Sequence, residues 1–90
     1  MREVTLYTRK WCGWCLDAKE YLKERGIAFR EIDVGRDNAA NEEMQRLSGQ
    51  CYVPTIVVDG RVLANFDTHQ LEAFLGNLPE AGKAQSALAD

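Results

Sequence analysis

The early part of the chain changes its hydrophobic period twice, and this change limits the fold more than any other feature of the sequence. Val4–Thr8 alternates apolar and polar residues, and residues 28–34 return to the same two-residue period. Between these segments, apolar residues recur at helical spacing at Cys15, Ala18 and Leu22. The pattern predicts strand, helix, strand. A crossover through a helix normally makes its two strands parallel neighbours.

Two further helices are predicted from capping signals at their ends. Asp37 or Asn38 can cap the first of them, and Gly49 can end it. Asp67 can cap the second, with Gln70 three residues later to complete a capping box. The residues expected to be buried are Ala40, Met44 and Leu47 in the first helix and Leu71, Phe74, Leu75 and Leu78 in the second.

A hairpin completes the predicted order of elements. Residues 55–58 and 61–64 favour strands, and the Asp59-Gly60 turn between them predicts that they are antiparallel. The order is then βαβαββα, which predicts an α/β fold with a mixed four-stranded sheet flanked by three helices. We expect this domain to cover residues 1–78. Residues 79–90 hold little to bury and are expected to form a flexible tail.

Composition and charge exclude several classes of function. The net charge of −3 includes no basic run, so nucleic acids and membranes are not expected partners. The longest apolar stretches, such as residues 53–58, are far shorter than the roughly 18 residues that a membrane-spanning helix needs. The amino terminus enters a strand without an apolar leader. We therefore expect a cytoplasmic protein, and we expect it to be a monomer.

Two of the three cysteines, Cys12 and Cys15, stand where the first strand gives way to the first helix. Unpaired backbone N–H groups and the positive end of the helix dipole stabilise an anion there, and Arg9 and Lys10 add positive charge. Cysteine thiols in such settings have pKa values of roughly 3.5 to 7.5, against about 8.5 for a free cysteine. The pair is therefore expected to carry thiolate and to perform redox chemistry.

The two cysteines are expected to have different roles. Cys12 precedes the helix and should be exposed, whereas Cys15 begins the buried stripe. We therefore expect Cys12 to attack a substrate disulfide and Cys15 to resolve the mixed disulfide that results. The expected partners are disulfide-containing proteins and an external reductant that reopens the Cys12–Cys15 disulfide.

A zinc site is a further alternative for this pair, but the sequence favours it less. A Cys-x-x-Cys pair is half of a zinc site, but Cys51 and His69 stand alone and far apart rather than as the second close pair of a zinc ribbon. We therefore expect no metal ligands. As isolated residues, Cys51 is expected to be a small buried hydrophobic residue, with a third redox thiol as the alternative, and His69 is expected to lie at the surface or at a helix start.

Three features together carry a family resemblance: the segment Tyr7-Thr8-Arg9-Lys10-Trp11-Cys12-Gly13-Trp14-Cys15, the segment Tyr52-Val53-Pro54-Thr55 and the order of elements. They resemble glutaredoxin, the small-domain branch of the thioredoxin-like superfamily. The resemblance covers about residues 3 to 78. It implies a thioredoxin-like fold and a thiol–disulfide oxidoreductase that reduces protein or glutathione mixed disulfides. In that family the first cysteine, here Cys12, is the nucleophile, and the second, here Cys15, is the resolving thiol.

Four residues are expected to bind the substrate. By resemblance, Arg9 matches the basic residue that glutaredoxins place three positions before the nucleophile. Val53 and Pro54 match a loop in which the proline is cis and faces the cysteines, and the Val53 backbone would pair with a bound substrate as an added strand. Independently of the resemblance, Trp14 is favoured as an aromatic docking residue, whereas packing across the first turn is favoured for Trp11.

The chain departs from the glutaredoxin pattern where that family binds glutathione. The Gly-Gly pair and following acidic residues that help glutaredoxins hold glutathione are replaced by residues 65–70, and Tyr52 replaces the usual threonine. These differences resemble glutaredoxin-like redoxins that take electrons from thioredoxin reductase and pass them to ribonucleotide reductase. The resemblance therefore implies either glutathione or thioredoxin reductase as electron donor, with no cofactor permanently bound.

A second reading of the resemblance concerns Gly13. This residue replaces the proline common in the motif, and some glutaredoxins without that proline hold an iron–sulfur cluster between two protomers, through the first cysteine and glutathione. A glutathione-ligated scaffold is therefore the alternative function within the family.

Overall fold

A computed structural model describes residues 3–78, and this part of the chain contains four strands and three helices in the predicted order. Their bounds are Val4–Thr8 (β1), Gly13–Glu24 (α1), Arg30–Asp33 (β2), Asn38–Ser48 (α2), Thr55–Val58 (β3), Arg61–Ala64 (β4) and Thr68–Gly76 (α3). Within residues 3–78, the helices lack the length and apolar character needed to span a bilayer. The tail expected at residues 79–90 lies outside the described part of the chain.

The strands form one mixed sheet in the order β2-β1-β3-β4. β1 runs parallel to β2, with Leu6 opposite Glu31, and antiparallel to β3, with Leu6 opposite Ile56. β3 and β4 form the predicted antiparallel hairpin. Its turn residues Asp59 and Gly60 have φ values of 50° and 87°, the positive values that a tight two-residue turn requires.

β2 is shorter than the sequence predicts. The two-residue period covers residues 28–34, but only Arg30–Asp33 is a strand. β1 supplies partners for these four residues alone, from Thr5 to Thr8. The length of a strand is therefore set by its neighbour as well as by its own pattern.

The topology brings four connections to one edge of the sheet. Because β1 is parallel to β2 and antiparallel to β3, the ends of β1, β2 and β4 meet the beginning of β3 at this edge. The turn that carries Cys12, the β2–α2 loop, the Val53–Pro54 segment and the start of α3 therefore lie at the same edge.

α1 and α3 pack on one face of the sheet. The buried residues there are Val4, Leu6, Ala18, Leu22, Ile56, Val58, Phe66, Leu71 and Leu78. The Asp67 carboxylate accepts the Gln70 backbone N–H at 2.8 Å, and the Gln70 side-chain oxygen accepts the Asp67 N–H at 3.0 Å. The predicted capping box is therefore confirmed, and it fixes where α3 begins.

α2 packs on the opposite face of the sheet. Tyr7, Val34, Ala40 and Met44 are buried there. Leu47 was predicted to belong to the same buried set, but it is 47% exposed, so this prediction is wrong. Helical periodicity gives the direction in which a side chain points, whereas neighbouring elements decide whether anything covers it.

Candidate redox site

Cys12 and Cys15 form a disulfide at the start of α1. Cys12 is the N-cap residue, and its sulfur accepts a hydrogen bond from the Cys15 backbone N–H at 3.1 Å. Cys15 is 2% exposed, whereas Cys12 is only partly buried. The predicted difference in exposure between the two sulfurs is therefore confirmed.

The helix start favours negative charge on the Cys12 sulfur. The first turn of α1 contains no acidic side chain that would compensate the positive end of the helix. The Cys15 N–H, one of the donors that a helix leaves unpaired at its start, already points at this sulfur. When the disulfide opens, the same donor stabilises a Cys12 thiolate.

A cavity of about 220 Å³ lies beside the disulfide, and both sulfur-bearing residues line it. Thr8, Lys19 and Glu31, three lining residues that sequence reasoning did not select, form a connected group. The Thr8 hydroxyl, 2% exposed, donates to Glu31 Oε2 at 2.8 Å, and Lys19 Nζ lies 3.1 Å from the same oxygen.

Two features of the chain could have predicted that these three residues lie together. Lys19 follows Cys15 by four residues, which places both on one face of α1. Thr8 and Glu31 are distant in sequence, and they are brought together by the β1–β2 register, in which Glu31 lies opposite Leu6. The first feature is present in the sequence, but the second requires the register.

The two tryptophans compare differently with the sequence prediction, because only Trp11 contradicts it. Trp11 is 99% exposed and lines the cavity beside the disulfide, so the prediction that it packs across the first turn is wrong. Its φ of 61° turns the chain sharply before the helix. Trp14 is half exposed, as a docking residue requires. Its role in substrate binding stays a prediction.

Arg9 also lines this cavity. Its guanidinium donates to the Asn41 side-chain oxygen in α2 at 3.4 Å. Arg9 is otherwise exposed, so it can approach a ligand bound next to Cys12.

The Val53–Pro54 segment lies at the same edge of the sheet as the disulfide, where the chain enters β3. The peptide bond between these residues is cis, as the resemblance implies. Pro54 is buried, and its carbonyl accepts the Asn65 N–H at 2.8 Å, whereas Val53 is half-buried against the α2 face. The segment is thus held on both sides before β3 begins.

The Gln50 side chain holds this loop through hydrogen bonds, a role that the sequence did not indicate. Its side-chain oxygen accepts the Tyr52 N–H at 2.8 Å, and its side-chain nitrogen donates to Ser48 Oγ at 2.8 Å and Thr55 Oγ1 at 3.2 Å. Thr55, which is fully buried, donates in turn to the Tyr52 carbonyl at 2.8 Å. These bonds join the end of α2 to the beginning of β3 around the cis peptide.

The remaining cysteine and the histidine do not join the pair. Cys51 is exposed, so the prediction of a buried hydrophobic residue is wrong: it lies in the loop between α2 and β3, where no element covers it. His69 is exposed in the first turn of α3, as predicted. Among residues 3–78, no group of three or more His, Cys, Asp or Glu side chains is placed to bind a metal ion.

Comparisons with known proteins identify the family. The glutaredoxin family model matches residues 4–63. A glutaredoxin-like 8.6 kDa protein encoded in a rubredoxin operon of Clostridium pasteurianum is 35% identical over 72 residues, covering 80% of this chain and 96% of that protein. Glutaredoxin 3 of Escherichia coli K12 is 34% identical over 67 residues, covering 74% and 81%.

The fold comparison agrees. The structure of NrdH-redoxin from Escherichia coli, described as a glutaredoxin-like protein with a thioredoxin-like activity profile, superimposes with a TM-score of 0.67 at 27% identity. The match covers 79% of this chain and 92% of that one. Glutaredoxins are thiol–disulfide oxidoreductases that generally act on disulfide substrates with glutathione-dependent reduction. The chain belongs to the glutaredoxin family, within the thioredoxin-like superfamily, and Cys12 and Cys15 are its redox-active pair.

Proposed function

We propose that this chain is a cytoplasmic dithiol oxidoreductase that reduces disulfides in other proteins, with Cys12 as nucleophile and Cys15 as resolving thiol. The difference in exposure between the two sulfurs is the observation that carries the proposal. Cys12 caps the helix and is accessible, whereas Cys15 is 2% exposed and can react only with a sulfur already attached to Cys12.

The cycle transfers two electrons to the substrate. The Cys12 thiolate attacks one sulfur of the substrate disulfide, and the other substrate sulfur leaves as a thiolate that takes up a proton. The Cys15 thiol then loses its proton and attacks the Cys12 sulfur. The second substrate thiol is released as the Cys12–Cys15 disulfide forms.

Arg9, Trp14, Val53 and Pro54 are proposed to hold the substrate during this exchange. The Val53 backbone would pair with an extended substrate segment, because it precedes β3 at the edge that also carries Cys12. Trp14, half exposed beside Cys12, would supply an apolar contact, and the Arg9 guanidinium would attract carboxylates of the bound segment.

Thioredoxin reductase is the electron donor that we propose, in preference to glutathione. Two backbone donors in the segment that replaces the glutathione-binding residues are already occupied: the Asn65 N–H by the Pro54 carbonyl and the Asp67 N–H by Gln70. A glutathione carboxylate would have to displace these bonds. The thioredoxin-like activity profile described for NrdH-redoxin of Escherichia coli is in line with this choice.

The donor can be tested directly. The oxidised protein is offered NADPH with thioredoxin reductase, or glutathione with NADPH and glutathione reductase, and NADPH consumption and free thiols are followed. We expect rapid reduction in the first mixture. Faster reduction by glutathione than by thioredoxin reductase would contradict the proposal for the donor without affecting the assignment of the two cysteines.

The roles of the cysteines predict different outcomes for two substitutions. Cys12→Ser should abolish reduction of a protein disulfide, because no accessible thiol remains in the pair. Cys15→Ser should accumulate a mixed disulfide between Cys12 and the substrate, or retain only glutathione-linked activity, because no resolving thiol is present. Turnover and non-reducing mass spectrometry measure both effects.

Cys51→Ser is the matched control, since it removes the remaining cysteine, which is exposed and is not part of the disulfide. It should retain the activity of the unmodified chain. Full activity in both Cys12→Ser and Cys15→Ser would refute the assigned roles.

A further inference from the structure

Two adjoining cavities form one open groove next to Cys12. The cavity of about 220 Å³ that contains the disulfide is continued by a second of about 510 Å³, and both are lined by Arg9, Lys10 and Trp11. The second reaches Asp33 and Arg36, at the start of the β2–α2 loop. We call the second cavity, which is lined by residues 9–11, 33, 35 and 36, the β2-side groove.

The β2-side groove carries charge opposite in sign to that of the whole protein. The chain has a net charge of −3, yet the groove contains the cations Arg9, Lys10 and Arg36 against the single carboxylate of Asp33. This carboxylate already accepts the Gly35 N–H at 2.8 Å. The residues that line the groove therefore carry a net positive charge.

Two of these cations lack a bonding partner for their side chains within the described residues. Within residues 3–78, neither Lys10 nor Arg36 makes a side-chain hydrogen bond or an ion pair. In the adjoining cavity, by contrast, Lys19 and Glu31 neutralise each other at 3.1 Å. Lys10 and Arg36 are therefore free to meet carboxylates of a partner.

Trp11 gives the same groove a large apolar contact. Its side chain is 99% exposed although its backbone has the left-handed φ of 61° that bulky residues avoid. No packing in the described chain explains the indole at this position. Tryptophan and arginine are both enriched in protein contact surfaces and among the residues that dominate binding energy there.

We infer that the β2-side groove binds an acidic, extended segment of the substrate protein, adjacent to the cysteine that Cys12 attacks. The inference rests on the proposed function, because it names the class of substrate for that reaction. Carboxylates on the segment would meet Lys10 and Arg36 while an apolar part lies against Trp11. Such complementarity raises the association rate and selects partners by charge.

Three synthetic peptides of equal length test the inference. Each carries one disulfide, flanked by Asp and Glu, by Ser, or by Lys. The reduced protein, freed of reductant, is mixed with each peptide, and the second-order rate constant of a single turnover is measured by thiol trapping. We expect the acidic peptide to react on the order of tenfold faster than the basic one at low salt, and the ratio to approach one near 1 M salt.

Two double variants locate the effect. Lys10→Glu with Arg36→Glu should bring the acidic-to-basic ratio to one or below. Lys23→Glu with Arg61→Glu is the matched control, because it changes the net charge equally but lies at the end of α1 and at the opposite edge of the sheet. It should leave the ratio close to that of the unmodified chain. Lys10→Ala with Arg36→Ala gives the same comparison, with a smaller expected decrease, if charge reversal prevents folding.

Equal rates for the three peptides would overturn the inference, as would an equal loss of preference in the two charge-reversal variants. The Ser-flanked peptide separates this failure from failure of the proposed function. If the reduced protein reduces that peptide but shows no charge preference, only the inference fails. If it reduces none of the three, the proposed function fails as well.

Discussion

At the scale of single residues, Trp11 is the most unusual backbone position next to the disulfide. Trp11, Asp59 and Asn65 are the non-glycine residues with positive φ in the described chain. Aspartate and asparagine tolerate this region, whereas a bulky residue pays roughly 1–2 kcal/mol for it. Because the indole is 99% exposed, no buried contact offsets this strain. Backbone strain of this kind recurs at functional sites.

Replacing Trp11 by glycine and by alanine should separate strain from side-chain contacts. Both changes remove the indole, but only glycine relieves the left-handed φ. We expect Trp11→Gly to be about 1 kcal/mol more stable than Trp11→Ala, measured as the free energy of unfolding in urea. Equal stability of the two variants would show that this turn relaxes without glycine.

Tyr7 is the residue whose ionisation should affect folding. Burial raises the pKa of its phenol above the ordinary value of 10.0, and the nearby Glu43 carboxylate, which accepts the hydroxyl at 3.3 Å, raises it further. Folding therefore favours the neutral phenol. Its contribution to stability is fully present below pH 10.0 and is lost as the pH rises through the pKa of the folded state.

The predicted difference appears in alkaline unfolding experiments. Between about pH 9 and about pH 11, the free energy of unfolding should fall more for the unmodified chain than for Tyr7→Phe, which has no phenol to ionise. Tyr52→Phe is the control, because that side chain is 63% exposed. It should leave the pH dependence of the unmodified chain unchanged. The same slope in Tyr7→Phe as in the unmodified chain would refute the assignment.

At the scale of elements, the loop between α2 and β3 is held by side-chain hydrogen bonds rather than by a regular ladder. Gln50 bonds to Ser48, Tyr52 and Thr55, so one amide joins the end of α2 to the first residue of β3. The loop carries Val53 and Pro54, two of the residues proposed to bind the substrate. Its position therefore affects both stability and activity.

Gln50→Ala should weaken this loop. The buried Thr55 hydroxyl loses a hydrogen-bond partner, which costs about 1–3 kcal/mol in the free energy of unfolding, and the exposed Tyr52 N–H loses the bond that holds the loop. We also expect a higher KM for a protein disulfide, because the Val53 backbone is less well placed. Gln45→Ala, at an exposed position of α2, should change stability by less than about 0.5 kcal/mol. Similar losses of stability in Gln50→Ala and Gln45→Ala would argue against the stabilising role of the Gln50 hydrogen bonds.

At the scale of the whole molecule, one sheet is shared by two buried clusters. Val4 and Leu6 of β1 face the α1 and α3 side, whereas Tyr7 of the same strand faces α2. Because β1 contributes to both clusters, removing β1 from one cluster would also expose the other cluster to solvent. Damage on the α2 side should therefore unfold the entire domain in one transition.

Met44→Ala tests this coupling. The side chain is fully buried, so its truncation should cost about 2–5 kcal/mol. Far-ultraviolet circular dichroism and tryptophan fluorescence, which reports on the start of α1 through Trp14, should shift together in urea. Leu47→Ala, three residues away and half exposed, should cost about 1 kcal/mol or less. Separate transitions for the two signals would show that α2 unfolds independently.

The sequence by itself determined the features that depend on neighbouring residues. The Asp67 capping box and the Asp59-Gly60 turn were predictable because each requires only a few consecutive residues with defined hydrogen bonds or φ values. The placement of Cys12 before a helix and Cys15 within its first turn followed from the same local reasoning. The redox pair and the order of elements could therefore be predicted from sequence alone.

Only the tertiary structure decided which surfaces are covered and which distant residues meet. Leu47, Trp11 and Cys51 are more exposed than their residue types and spacing suggested, because burial depends on whether another element lies above a side chain. Thr8 and Glu31 meet beside the disulfide only through the register of two parallel strands. Periodicity fixes the direction of a side chain within its own element, but the packing of the elements fixes what that side chain contacts.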